Sequence, residues 1–157
     1  MKKQIFTSLI LLLMIINGCK KNNFSDKEYF IFGHFYGECV GNTCVDIYKL
    51  KDDALYEDTN NNNPQKTSGF YSGNYTQTSS QKYEIAKNLM QSFPAELLGE
   101  NATTIGQPDA GDWGGFYLEY NFNGVRKFWL LDKMKTNVPA KYHTFIDTLN
   151  KTIYDLQ

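Results

Sequence analysis

Apolar positions along this chain change their spacing several times, and each change predicts a different element. Residues 29–36 (YFIFGHFY) are dense in aromatic and β-branched side chains, a strand pattern, with Gly33 marking a bulge. Residues 45–50 and 54–57 read as two strands around the turn Lys51-Asp52-Asp53. An Asn-rich loop follows at 60–64, and 70–77 carries a weak strand pattern. The period then becomes helical. Ser79 and Ser80 are credible N-caps for a helix over 81–92, where Tyr83, Ala86, Leu89, Met90 and Phe93 share one face. Pro94 ends it, because proline lacks the N–H and restricts the residue before it.

The stretch 101–115 is glycine-rich and reads as a long loop. Beyond it lies the clearest hairpin signal: strands at 115–120 and 125–131 around Asn123-Gly124, a pair that accepts the positive φ angles of a type I′ turn. Pro139 suits the first turn of a second helix, in which Tyr142, Phe145, Ile146, Leu149 and Ile153 form an apolar face. Hairpins with two separated helices predict an α+β domain, an antiparallel sheet with both helices packed on one face.

Composition narrows the class. With 157 residues the chain has the length of a single domain, and 15% aromatic content excludes an intrinsically disordered one. A net charge of −1 supplies no basic field for nucleic acid, so no nucleic-acid partner is expected.

The N-terminus adds an address. Met1-Lys2-Lys3 precedes an apolar run at 5–16, too short for a membrane span and suited to a signal peptide. Ile16-Asn17-Gly18-Cys19 resembles a bacterial lipobox, in which Asn occurs at the second position among Bacteroidota. The resemblance implies cleavage before Cys19 and acylation of its thiol. Residues 1–18 are then a lipoprotein signal peptide, 19–28 a lipidated tether, and 29–157 the α+β domain. Lys20 after the cysteine differs from the Asp that holds enteric lipoproteins in the inner membrane, and the tether lacks an acidic run resembling a surface-export signal. The expected location is the outer membrane, facing the periplasm.

Several further words share a resemblance: Cys39-Val-Gly41-Asn-Thr-Cys44 before Asp46-Ile-Tyr48, Leu55-Tyr56-Glu57-Asp58, Ser92-Phe93-Pro94, Pro108-Asp109 before Gly114-Gly115, and Asn137-Val138-Pro139 before His143. Together they are similar to a family of small uncharacterised Bacteroidota lipoproteins. The pattern departs at Gln107 and Ala110, where related sequences often carry cysteines. The family carries no established activity to transfer.

The chemistry on offer is sparse. A two-residue turn at Gly41-Asn42 places Cys39 opposite Cys44 at a Cα separation of about 4.5 Å, and the pair reads as a disulfide in an oxidising compartment. A redox pair of the thioredoxin type has two residues between its cysteines, and zinc takes four ligands, so neither fits as well. His34 and His143 have no adjacent nucleophile. Asp109 and Asp112, with Glu119 nearby, offer too few oxygens for calcium, so no metal or cofactor is expected. Trp113 between glycines offers a large recognition surface, which makes Asp109, Asp112 and Trp113 the binding candidates. Asp147-Thr148-Leu149 resembles the short O-glycosylation signal of the Bacteroidota, implying a glycan on Thr148.

With no Gly-x-Ser-x-Gly elbow, His-Glu-x-x-His or phosphate loop, the expected role is a structural one or the binding of a protein or small ligand, without catalytic residues. An envelope hydrolase assembled from distant residues is the alternative.

Acylated anchoring has a direct test. Cys19→Ser is expected to move the chain from the membrane to the soluble fraction, because one diacylglycerol group supplies the two acyl chains that stable attachment needs. A variant that fractionates like its parent, from a parent without acyl mass on its N-terminal peptide, contradicts the anchor.

Overall fold

Hairpins set the strand order. The computed structural model describes residues 28–41, 43–66 and 69–157; the expected signal peptide, Cys19, most of the expected tether, Asn42 and residues 67–68 lie outside them. Strand β1 (Tyr29–Phe35) lies at the centre, flanked on one side by β2 (Val45–Lys51), β3 (Ala54–Asp58) and β4 (Tyr75–Gln77). On its other side come β6 (Gly115–Phe122), β7 (Val125–Asp132) and β5 (Thr104–Ile105). All neighbours are antiparallel except β5, which runs parallel to β7. This is the α+β architecture that the patterning predicts.

The turns are built as their residues dictate. Asn123 and Gly124 take φ angles of 51° and 78°, and Asp52 and Asp53 take 50° and 56°, so both hairpins close through left-handed pairs. Such pairs match the twist of the flanking strands. Two expectations about loops and strands are corrected. The stretch 101–115 is not all loop, because Thr104–Ile105 joins the sheet edge, and the weak strand pattern at 70–77 forms a strand only over Tyr75–Gln77.

Helix α1 (Ser80–Ala86) begins where the Ser79 hydroxyl accepts from the Lys82 N–H. It is shorter than the predicted 81–92. The chain loosens at Lys87-Asn88 and continues as a 3-10 turn over Leu89–Ser92, which still carries Leu89 into the core. Helix α2 (His143–Leu156) buries Phe145, Ile146, Leu149 and Ile153 as expected. Both helices pack against Phe30, Phe32, Tyr48, Leu50, Leu55 and Trp129, one face of the sheet. Gly33, expected to mark a bulge, does not form one: it pairs in unbroken register with Ile47 and Tyr117, and a Cβ there would clash with the Asp46 carbonyl oxygen.

The opposite face carries no α-helix among the described residues and is nevertheless buried. Ile31, Phe35, Val45, Ile47 and Tyr117 pack there under Tyr71, from the irregular segment between β3 and β4. Polar staples hold that cover down. Tyr71 donates its hydroxyl to Asp58 Oδ2 (2.6 Å) and its N–H to the Tyr117 hydroxyl (2.9 Å). Tyr117 in turn donates to Glu119 Oε2 (2.6 Å), while Glu119 Oε1 accepts from Tyr29 (2.7 Å) and from Arg126 Nε and Nη2 (2.9 and 2.8 Å).

Burial and these carboxylates bear on alkaline stability. Burial raises the phenol pKa of Tyr29 to about 12, reinforced by Glu119, and raises those of Tyr48, Tyr71, Tyr75 and Tyr117 further. The unfolded chain ionises these phenols near 10, so their stabilising contribution is complete below that pH and is lost as pH rises through the folded values. Above pH ~10, unfolding releases protons and stability falls by up to about 1.4 kcal/mol per pH unit for each such tyrosine. The phenolate absorbance of these five should therefore develop together with loss of circular dichroism. Full ionisation of every tyrosine in a chain with native dichroism would contradict this.

Candidate functional site

Register brings two loops to one end of the sheet. Phe35, the last residue of β1, pairs with Val45 on one side and Gly115 on the other. The loop 36–44 and the loop 106–114 therefore leave adjacent strands side by side.

The first loop is closed by the Cys39–Cys44 disulfide, with a Cα separation of 5.5 Å. The pairing is as expected; its geometry is not. The Tyr36 N–H donates to the Cys44 carbonyl (2.9 Å), which puts Tyr36 opposite Cys44 and the bridge diagonal to the ladder. Cys39 and Cys44 are thus not facing strand partners, and the separation exceeds the expected 4.5 Å. At the tip Val40 is fully exposed. His34, 6% exposed, supports the base of this loop: its Nε2 lies 3.1 Å from Asp46 Oδ2 and 3.3 Å from the Thr43 carbonyl.

The second loop turns through left-handed backbone and is held by hydrogen bonds. Gly106, Asp109, Gly111, Asp112 and Gly114 all have positive φ. Asp109 closes the turn on itself: its Oδ1 accepts from the Gly114 N–H (3.0 Å) and its N–H donates to the Gly114 carbonyl (2.9 Å). Gly114 has no room for a side chain, since a Cβ would come within 2.5 Å of the Tyr36 ring. Gly37 likewise leaves space for Asp109, whose Oδ2 lies 2.2 Å from where a Cβ would stand. Each loop thus fits against the other.

The binding candidates divide accordingly. Asp109 is a strut of its own loop, Asp112 is exposed, and Trp113 displays 62% of its surface. Glu119 does not join them. It sits four residues into β6, roughly 13 Å along the strand, fully buried and paired with Arg126. Asp132 carries a role that sequence reasoning missed: buried at the end of β7, it accepts from the N–H groups of Gln107 and Met134 and from the Asn137 amide. Three donors on one carboxylate fix the start of the second loop. Only the Asx pattern Asp132-Lys133-Met134 hinted at this.

The histidines are apart in function as in sequence. His143 Nε2 lies 2.9 Å from the Val138 carbonyl at the start of α2, while His34 serves the disulfide loop. Thr148 donates its hydroxyl to the Thr144 carbonyl within α2 (3.0 Å). Among the described residues no group of three or more His, Cys, Asp or Glu could hold a metal ion.

The surface also carries concavities. A polar trough of about 660 Å³ lies beside α1, lined by Asp46, Glu57, Thr59, Thr76 and Lys82. There Lys82 pairs with Glu57 at 3.3 Å. Burial alone would raise the Asp46 pKa, but hydrogen bonds from His34 and Gln157 outweigh it and hold this carboxyl below its usual range. The second is a slot of about 240 Å³ at the edge of β7, lined among others by Phe70, Arg126, Lys127 and Phe128. No helix of the described residues is long and apolar enough to cross a membrane. No protein-family model, curated protein or solved structure matches the chain.

Asp109→Ala should loosen the tip without unfolding the sheet. Hydrogen exchange at the Gly114 amide is expected to accelerate, with a global cost near 1–3 kcal/mol for the orphaned donor. Unchanged protection of that amide would mean that the side chain does not hold the loop.

Proposed function

We propose that this chain is a non-catalytic recognition protein of the bacterial envelope, held on a membrane through acylated Cys19 and presenting a rigid apolar tip to a protein partner. One observation carries the reading. Val40 and Trp113 stand exposed on two locked loops that lean on each other. Large apolar groups held in water by fixed backbone are pre-organised for contact, since little ordering entropy remains to be lost on binding.

Position supports it as well. The chain enters the sheet at Tyr29, beside the Asn123-Gly124 turn, where the Asn123 N–H donates to Glu28. The loops emerge at the other end of β1, roughly 20 Å away. A tether at Cys19 then holds one end of the domain near the membrane and leaves the tip free to face outward from it. The outer membrane, with the domain in the periplasm, is the proposed setting.

Catalysis is disfavoured by the state of the two histidines. His34 is buried and engaged with Asp46 and Thr43, and His143 is turned to the Val138 carbonyl. Neither is a free general base on an open surface.

A photo-crosslinking side chain at Val40 or Trp113 is expected to capture a discrete partner in intact envelopes, and one at Tyr154, exposed on α2, is not. The same product from all three positions, or none from the tip, refutes the assignment.

A further inference from the structure

We infer that the slot at the outer edge of β7 is a binding site for a small carboxylate carried on a flat apolar body, beyond the partner contact assigned to the loop tip.

The slot exists because β5 is too short. It pairs with β7 only at Leu130 and Leu131, and the Leu130 N–H donates outward to the Thr103 carbonyl (2.8 Å). Backbone direction alternates along a strand, so Phe128 and Arg126 also turn their N–H and C=O groups outward. There β5 has ended, and the chain at 100–103 forms the opposite wall. Between the walls lies about 240 Å³ of space.

Its charge is unbalanced. Arg126 is already neutralised: Nε and Nη2 are given to Glu119, which is buried beneath the slot, and Nη1 remains. Lys127 has no carboxylate within ion-pair distance among the described residues, and its ammonium touches only the Leu98 and Glu100 carbonyls, at 2.5 and 3.4 Å. The one carboxylate on the rim, Glu100, is turned away, accepting from Lys141 (2.8 Å) and Tyr142 (2.5 Å). One full positive charge is therefore left to the slot, together with outward backbone donors.

One wall is apolar and flat. Phe70 is 41% exposed, stacked 3.8 Å from the Arg126 guanidinium carbon and edge-on to Phe128 with centroids 5.2 Å apart. Phe128 and Phe70 lie on one face of β7, and Lys127 leaves the other. A ring or short chain laid against Phe70 and Phe128 would therefore reach Lys127 with its carboxylate by passing between the strand edge and residues 100–103. Apolar walls with a few convergent polar groups are the usual composition of small-ligand sites.

Benzoate, with benzyl alcohol as its neutral match in size, tests the inference by amide chemical shifts of the full chain. Benzoate is expected to shift the Arg126–Trp129 amides saturably, and benzyl alcohol is not. Lys127→Met should weaken benzoate by about tenfold or more, the scale of a lost charged hydrogen bond. Phe70→Ala, which leaves Lys127 in place, should weaken it as well and serves if the lysine variant does not fold. Equal responses to the two probes, no saturable shift, or full response in both variants overturns the site. Crosslinking from the tip is unaffected by any of these outcomes, so the two assignments fail separately.

Discussion

A carboxylate without access to water organises the face of the sheet that, among the described residues, no α-helix covers. Burying Glu119 as an isolated charge would cost several kcal/mol, a penalty that only close opposite charge and complete hydrogen bonding can offset. Arg126 supplies the charge, and Tyr29 and Tyr117 fill the remaining lone pairs. These partners come from the first strand and the last hairpin. Through Tyr117 the network reaches Tyr71, and through Tyr71 it reaches Asp58. Asp58 also accepts from the Asn61 and Asn74 N–H groups, so both ends of the covering segment are fastened to the end of β3. The arrangement lets an irregular stretch of chain do what a helix layer does on the other face.

That double burial gives the two ends of the sheet different characters. One end consists of tight two-residue turns, which allow little besides closure. The other consists of longer loops braced by a disulfide, by Asp132 and by Asp109. Rigidity matters at this second end because flexible loops would fold Val40 and Trp113 back against the protein to hide apolar surface from water. Fixed backbone prevents that collapse.

How far these features were legible in the sequence depends on the range of the interactions that create them. Asn123-Gly124 and the apolar face of α2 are local signals, and both elements form as read. The disulfide pairing was legible from spacing, but its diagonal placement was not, because the register of β1 against β2 is set by the whole strand. Strand β5 is two residues long and is a strand only because β7 lies beside it. Asp58 and Glu119 carry no sequence mark that separates them from solvated acids, and Asp132 carries only its local Asx pattern; their partners, apart from those nearest in the chain, lie up to 90 residues away. Asp109 was legible as special but not as a strut, since a left-handed aspartate is recognised only once its φ is known.

The central position of β1 has a consequence for the order of assembly. Its partners are β2, about fifteen residues on, and β6, more than eighty residues on. As the chain is made or threaded from its N-terminus, β1 to β4 are complete while the inner edge of β1 stays open, apolar on both faces. Such an edge is a template for pairing with other chains. Contacts of this sequence separation also close slowly, because the entropy of a long loop is lost before the pairing compensates for it. The interval before β6 arrives is therefore the moment at which this chain most needs to be kept apart from its neighbours.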